Sequence, residues 1–200
     1  MAKYRNSRTL PTILTIIVII IAIVGIVSLA RFIFFSGSSS TPALIDTSEQ
    51  DLLSSIDGRA VSMTVRGPIV ADENFRSYRI VISPSSRTIK TYTGYLGTVL
   101  DQRTLSNNVA AYEEFVHALN KANLVAGQPF EGDKNDVRGV CATGRVYEFS
   151  LLKDTEATET LWTSTCGGSK GSLRASTDQL SQLFRAQIPE SRTLINDISL

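Results

Sequence analysis

The chain is 200 residues long and nearly neutral, with 20 Lys and Arg against 19 Asp and Glu. Four of the basic residues and none of the acidic ones precede residue 44, so the rest of the chain has 16 basic against 19 acidic side chains. Nucleic-acid binding depends on clustered Lys and Arg at the phosphates. This weakly acidic balance therefore excludes DNA and RNA as expected partners.

The first predicted element is a single membrane-spanning helix. Leu10 to Ala30 form a run of 21 residues without a charge. As a helix the run would be about 31 Å long at ~1.5 Å per residue, which matches a hydrocarbon core of about 30 Å. We therefore predict a basic tail over residues 1–9 and a transmembrane anchor with its interface over residues 10–35. A cleaved secretory signal is the alternative, but the run exceeds the ~7–15 apolar residues of such a signal.

The charges that flank the anchor predict its orientation. Lys3, Arg5 and Arg8 precede the apolar run, whereas only Arg31 follows it closely. The more positive flank of a membrane helix stays in the cytoplasm. We therefore expect a protein of the cell membrane whose N-terminus is cytoplasmic and whose C-terminal domain is extracytoplasmic, where cysteines can remain oxidised.

A domain of mixed secondary structure is expected after the anchor. Residues 36–43 are rich in Gly and Ser and predict a flexible linker, so the domain spans residues 44–200. Thr47 and Gln50 fit the capping box of a short helix that ends at Gly58. Alternating apolar residues then predict strands at 61–66, 78–82 and 88–93, of which the last two form a hairpin.

The middle of the domain changes from strands to a helix. Between Gly94 and Gly97 we expect a bulge or a short further strand. Apolar residues at intervals of three and four indicate an amphipathic helix that is capped by Asn107 or Asn108 and ends near Asn123. These apolar residues are Val109, Tyr112, Phe115, Val116 and Leu119.

The last part of the domain predicts a hairpin and a closing helix. A polar loop over residues 127–139 precedes the hairpin, whose turn is expected at 153–156. A second capping box at Ser176 and Gln179 starts the closing helix, which Pro189 ends. Because strands and helices do not alternate regularly, we predict an α+β fold, an antiparallel sheet with two main helices on one face.

The two cysteines are predicted to form a structural disulfide. A hairpin turn centred between Lys153 and Asp154 places Cys141 directly opposite Cys166, and opposed residues of antiparallel strands have Cα atoms ~4.5–5.5 Å apart, within reach of a disulfide. The same register sets Trp162 opposite Arg145. This pair could be a recognition spot, but we favour a packing role in which Trp162 lies under the helices and Arg145 covers it.

The alternative role for Cys166 is catalytic. The segment Thr160-Leu161-Trp162-Thr163-Ser164-Thr165-Cys166, with His117 before it and Arg174 after it, resembles the Thr-Leu-x-Thr-Cys strand, upstream His and downstream Arg of sortases. Sortases are membrane-anchored cysteine transpeptidases of bacterial envelopes. The resemblance implies a Cys166 nucleophile assisted by His117 and Arg174, and an all-β barrel in place of the helices predicted above.

The remaining patterns favour a binding function over an enzymatic one. The chain has neither the ligand spacings of a zinc site nor a phosphate-loop pattern, so no metal, cofactor or catalytic residue is predicted. We expect a membrane-anchored extracytoplasmic module that binds an envelope protein or a cell-wall ligand, or takes part in envelope assembly. A pilin-like subunit is a third alternative, against which the Gly/Ser linker argues, because it would break the long helix of a pilin.

Overall fold

Six antiparallel strands, four α-helices and two short 3₁₀ helices (Asp72–Asn74 and Gly132–Asn135) are the regular elements of the described part of the chain. This structure is a computed structural model, and it describes residues 47–54 and 58–200. The predicted tail, anchor and linker lie outside these residues. Within the described ranges, no helix has both the length and the apolar composition needed to cross a bilayer.

The sheet combines pairs of strands that follow each other in the chain with one pair whose strands are far apart in the sequence. Its strands are β1 (Arg59–Arg66), β2 (Arg76–Ile82), β3 (Ser86–Thr93), β4 (Thr98–Ser106), β5 (Val146–Lys153) and β6 (Glu156–Ser164). The helices are α1 (Thr47–Leu53), α2 (Val109–Lys121), α3 (Thr177–Ala186) and α4 (Ser191–Asp197). The strands lie in the order β4-β3-β2-β1-β5-β6, with every neighbouring pair antiparallel. The predicted α+β class with an antiparallel sheet is therefore confirmed.

One face of the sheet carries the hydrophobic core. Side chains two residues apart on a strand share a face, and Val61, Met63 and Val65 of β1 are each at most 1% exposed. All four helices contribute buried side chains to the same cluster, including Leu52, Phe115, Phe184 and Leu194.

On the opposite face of the sheet, the side chains of β1 have polar partners. There, Arg66 Nε donates to Glu148 Oε1 at 2.6 Å, and Arg79 Nη2 donates to Ser62 Oγ at 3.2 Å. The side chains of β1 on this face therefore pair with polar neighbours on the adjacent strands.

Two predicted helix caps are present. Asn108 Oδ1 accepts a hydrogen bond from Ala111 N at 2.9 Å at the start of α2, and Ser176 Oγ accepts one from Gln179 N at 3.4 Å at the start of α3. Each bond satisfies a backbone amide that has no partner within its own helix.

Two elements were not predicted. Residues 94–97 form a turn that leads into the nine-residue strand β4, where a bulge or a short strand was expected. Every residue of β4 is exposed except Leu105, so no face of the strand is consistently apolar and the sequence shows no alternation. The helix α4, which starts two residues after Pro189, was also missed because it has only seven residues.

The predicted register of the last hairpin was wrong. Its turn consists of Asp154 and Thr155, with φ of 51° and 78°, and an irregularity between Leu151 and Leu152 shifts the pairing once more. Positive φ at both central residues is typical of a type I′ turn. As a result Trp162 pairs with Glu148, and not with Arg145.

Candidate functional site

The predicted disulfide between Cys141 and Cys166 is confirmed, with the two Cα atoms 5.5 Å apart. Neither cysteine lies on a strand, contrary to the prediction, because β5 begins at Val146 and β6 ends at Ser164. The backbone at Gly144 passes close to the disulfide, and a Cβ atom at this position would lie only 2.9 Å from Cys141 Sγ. A residue without a side chain is therefore needed for this loop to pass beside the disulfide.

The three residues of the sortase-like alternative lie in different environments. Cys166 is bonded to Cys141, and the sequence contains no other cysteine. A cysteine nucleophile acts as a thiolate, which a sulfur in a disulfide cannot supply. His117 is an exposed residue of α2, and Arg174 is exposed on the segment before α3.

Trp162 is not part of an exposed recognition spot. It is 5% exposed and packs with Val137, Cys141 and Val146 in a second, smaller cluster, whereas the prediction placed it under the helices. Phe130 lies edge-on to its indole at a centroid distance of 5.9 Å. The tryptophan therefore supports the loop that carries Cys141.

The exposed apolar side chains are concentrated at one end of the sheet. Eight large hydrophobic residues are exposed within the described part of the chain, and six of them fall in the segments 69–70 and 95–100. We call these six the apolar surface: Ile69, Val70, Tyr95, Leu96, Val99 and Leu100. Leu96 is 97% exposed and the other five are 40–50% exposed.

Hydrogen bonds hold the two segments of the apolar surface together. The Tyr95 hydroxyl donates to Val70 O at 2.7 Å and accepts from Val70 N at 3.1 Å. Its ring stacks on Phe75 at a centroid distance of 4.2 Å, and Asp72 Oδ1 accepts from Tyr95 N at 2.7 Å. The apolar side chains therefore project from a backbone that is connected at several points.

A cavity of about 320 Å³ lies beside the apolar surface. Ile69, Phe75 and Tyr95 line one side of it, and the loop with Val140 and Cys141 lines the other. Ile69 N donates to Ala142 O at 2.9 Å, which joins the two sides. The disulfide thus anchors one wall of this cavity.

Both arginines that line the cavity are paired with carboxylates. Arg66 binds Glu148, and Arg138 Nε donates to Asp136 Oδ2 at 2.7 Å. Hydrogen bonds from the side chain and the backbone of Arg138 lower the pKa of Asp136 to about 2, so this carboxylate is ionised at neutral pH. Because each guanidinium is paired with a carboxylate, the cavity suits apolar groups better than charged ones.

The apolar surface continues into the edge strand β4. Val99 and Leu100 begin this strand, and β4 pairs with β3 only, so one row of its backbone N–H and C=O groups has no strand partner among the described residues. A register shift opposite Thr91 and Tyr92 leaves Leu100 outside the ladder. Such an edge can accept a further strand.

Sequence reasoning missed this site. One signal in the sequence could have indicated it, namely Tyr95-Leu96 between two glycines, followed by Val99-Leu100. Large apolar side chains in a turn are not packed in the hydrophobic core, so they indicate an exposed apolar surface. No group of three or more His, Cys, Asp or Glu side chains that could hold a metal ion occurs in the ranges 47–54 and 58–200. No protein-family model matches the chain, and no curated protein is significantly similar to it.

Proposed function

We propose that this protein is a single-pass membrane protein that presents the described domain outside the cytoplasm as a module for binding another protein of the cell envelope. The partner contributes an extended segment that pairs with β4 and places apolar side chains on the apolar surface. The module is not an enzyme in this proposal, and the disulfide has a structural role.

The observation that carries the proposal is the position of the apolar surface next to an unpaired strand edge. Monomeric soluble proteins rarely expose large contiguous apolar patches, and those that do mostly use them for interaction. Strand addition obtains affinity from main-chain hydrogen bonds and specificity from side-chain pockets. β4 supplies the first, and the cavity beside Tyr95 supplies the second.

A protein segment fits this site better than a lipid surface. The free backbone groups of β4 require both donors and acceptors, which a peptide backbone provides in the right alternation and spacing. β4 also carries Asp101 and Arg103, so charged side chains of both signs follow the apolar ones along the edge. Hydrocarbon chains would leave these groups without hydrogen bonds.

The membrane location is supported by the uncharged run from Leu10 to Ala30 and by the disulfide. Disulfides persist in oxidising compartments and are rare in the cytosol. The linker over residues 36–43 would let the domain reach partners close to the membrane surface.

The orientation is tested with protease added to spheroplasts of cells that express the full chain. Residues after Arg31 should be digested, while an epitope within the first eight residues stays protected, because the basic flank remains in the cytoplasm. A protected domain would show the inverted orientation. A soluble product that starts near Arg31 would show cleavage in place of anchoring.

Partner binding is tested by photo-cross-linking in intact cells. A benzophenone side chain in place of Leu96 should give one cross-linked species of defined mass, whereas the same group in place of Val109 should give none. Val109 is a matched control, since it is also apolar and 49% exposed but lies outside the apolar surface. Introducing Leu100→Lys into the Leu96 benzophenone variant should reduce the yield of cross-linked product roughly 30-fold. This corresponds to a loss of about 2 kcal/mol of binding free energy, as expected for a central interface residue.

Three outcomes would contradict this binding mode. Equal cross-linking from Leu96 and Val109 would show nonspecific contact, and cross-linking to lipid alone would show membrane contact. A species of twice the mass of the chain would show that the surface binds a second copy. In each case melting curves of the variants establish that Leu100→Lys has not unfolded the domain.

A further inference from the structure

The sheet face opposite the α-helices is open to solvent over β2 and β3. Residues paired across antiparallel strands share a face, so Arg79 and Lys90 lie on the same side of the sheet as Thr64 of β1. The side chains of β2 and β3 on this side are partly exposed at five positions, Arg79, Val81, Thr88, Lys90 and Tyr92. We call these five residues the open face.

Two positive charges lie directly opposite each other on the open face. Arg79 of β2 pairs with Lys90 of β3 in the register of the sheet. Like charges in this position are destabilising, because the Cβ atoms of opposed residues are only ~4.5–5.5 Å apart. Among the described residues no carboxylate lies within 4.0 Å of either side chain, and Glu148, which shares this side of the sheet, is paired with Arg66. The domain therefore leaves both charges without a counter-ion.

The hydrogen-bonding capacity of both cations is largely unused. Arg79 Nη2 donates to Ser62 Oγ at 3.2 Å, whereas Arg79 Nε is buried and has no acceptor. No hydrogen bond of Arg79 Nη1 or Lys90 Nζ is found within the described ranges, and neither atom is buried. A buried donor without an acceptor costs free energy. Arg79 therefore loses little when its guanidinium turns toward a ligand.

A row of hydroxyl side chains crosses the open face beside the two cations. The strand register aligns its members from β4 to β6 in the order Thr104, Thr88, Val81, Ser62, Ser150 and Thr160, of which only Val81 lacks a hydroxyl. At ~4.8 Å between strands the row is roughly 24 Å long. Two pairs of these hydroxyls bond each other, at 3.3 Å between β3 and β4 and at 2.9 Å between β5 and β6. Since a hydroxyl has one donor and two acceptor sites, capacity for a ligand remains.

Tyr92 adds an aromatic ring to the same face, two positions after Lys90. Burial raises the pKa of its hydroxyl, and the charge of Arg79 lowers it to a smaller extent. The hydroxyl is therefore protonated at neutral pH. An aromatic ring with a polar tip packs on an apolar surface while the tip stays hydrogen-bonded, and the C–H face of a sugar ring is such a surface.

We propose that the open face binds an acidic polysaccharide of the cell surface, with its carboxylates on Arg79 and Lys90 and its hydroxyls along the hydroxyl row. Charge complementarity carries this assignment, because two adjacent cations without a counter-ion attract an anionic ligand and the arginine fork matches a carboxylate. A flat row of this length suits a linear polymer, whereas small ligands bind in concave pockets.

A protein segment fits the open face less well than a polysaccharide. β2 and β3 each have a strand on both sides, so their backbone groups are already used and the face offers only side chains. Strand addition, the mode proposed for β4, is not available there. The two sites are therefore separate, since one uses the edge of the sheet and the other its face.

The test uses the purified full chain in a neutral detergent, with immobilised polygalacturonate and alginate as acidic polysaccharide probes. Binding should saturate and should weaken as sodium chloride is added, because salt screens exposed charges. Dextran, a neutral polysaccharide, and polyglutamate, which carries carboxylates on a peptide backbone, should each bind at least tenfold more weakly. Binding to neither acidic polysaccharide would overturn the proposal, and so would equal binding to polyglutamate or to dextran.

Matched substitutions locate the site. Lys90→Gln and Arg185→Gln each remove one positive charge from a partly exposed side chain, but Arg185 lies on α3, on the other side of the sheet. Lys90→Gln should weaken polygalacturonate binding at least tenfold without lowering the melting temperature, because it relieves the repulsion from Arg79. Arg79→Gln should weaken binding similarly, Arg79→Lys by less, and Arg185→Gln not at all. Equal losses of binding in Lys90→Gln and Arg185→Gln would show a general charge effect, and a lower melting temperature of Lys90→Gln would contradict the repulsive pairing.

Discussion

Replacing Phe184 by alanine is expected to lower the free energy of unfolding by about 3–5 kcal/mol, the usual cost of truncating a buried phenylalanine. Phe184 has no exposed surface. Its ring lies edge-on to Phe115 of α2 at 5.3 Å and tilted against Phe149 of β5 at 5.9 Å. The substitution would therefore leave a cavity where two helices and the sheet meet, and urea denaturation would measure the loss.

Phe130→Ala is the matched control for this prediction. It removes the same atoms from a ring that is 38% exposed and that contacts Trp162 in the smaller cluster. Less apolar area returns to water, so we expect a clearly smaller loss of stability. If Phe130→Ala were as costly as Phe184→Ala, the burial of Phe184 would not account for its contribution.

Loss of the disulfide is the second large effect, with an expected destabilisation of about 3.5 kcal/mol. The bond joins residues 25 positions apart. Closing a loop of that length lowers the conformational entropy of the unfolded chain, which destabilises the unfolded state by about 3.5 kcal/mol. Cys141→Ala, Cys166→Ala and the double variant should all be destabilised similarly, because each removes the same bond. Denaturation of the oxidised protein and of the three variants provides the comparison.

Thiol reactivity provides an independent check on the cysteines. In the native protein neither cysteine should react with iodoacetamide until a reductant is added, since both sulfurs are in the bond. His117→Ala serves as the control for the sortase-like alternative, and it should change neither stability nor reactivity by much because His117 is exposed. Rapid alkylation of Cys166 in the native protein would contradict the structural role of the disulfide.

Elements with one buried face were predictable from periodicity. β1 shows strict alternation because its apolar side chains all face the helices, and α2 shows the helical period for the same reason. The side-chain caps at Asn108 and Ser176 were also readable, because a cap is a contact within a few residues. In contrast β4 was missed, since almost all of its residues are exposed and nothing imposes a pattern on them.

The candidate site could not be read from the sequence to the same extent. The apolar surface depends on the hydrogen bonds between Tyr95 and Val70, which are 25 positions apart in the chain. Each residue alone has an ordinary interpretation. Only their proximity in space distinguishes them from other exposed or helical residues.

The amino-acid sequence by itself determined the α+β class, the main strands and helices, and the pairing of the only two cysteines, because these follow from local periodicity, capping and composition. The tertiary structure decided that β5 lies beside β1, with Phe149 opposite Met63, and set the register of the last hairpin through the turn at Asp154 and Thr155. It also decided which apolar residues remain exposed. These features depend on contacts between segments that are distant in the chain. Several arrangements of such segments have similar free energies until the whole core is packed.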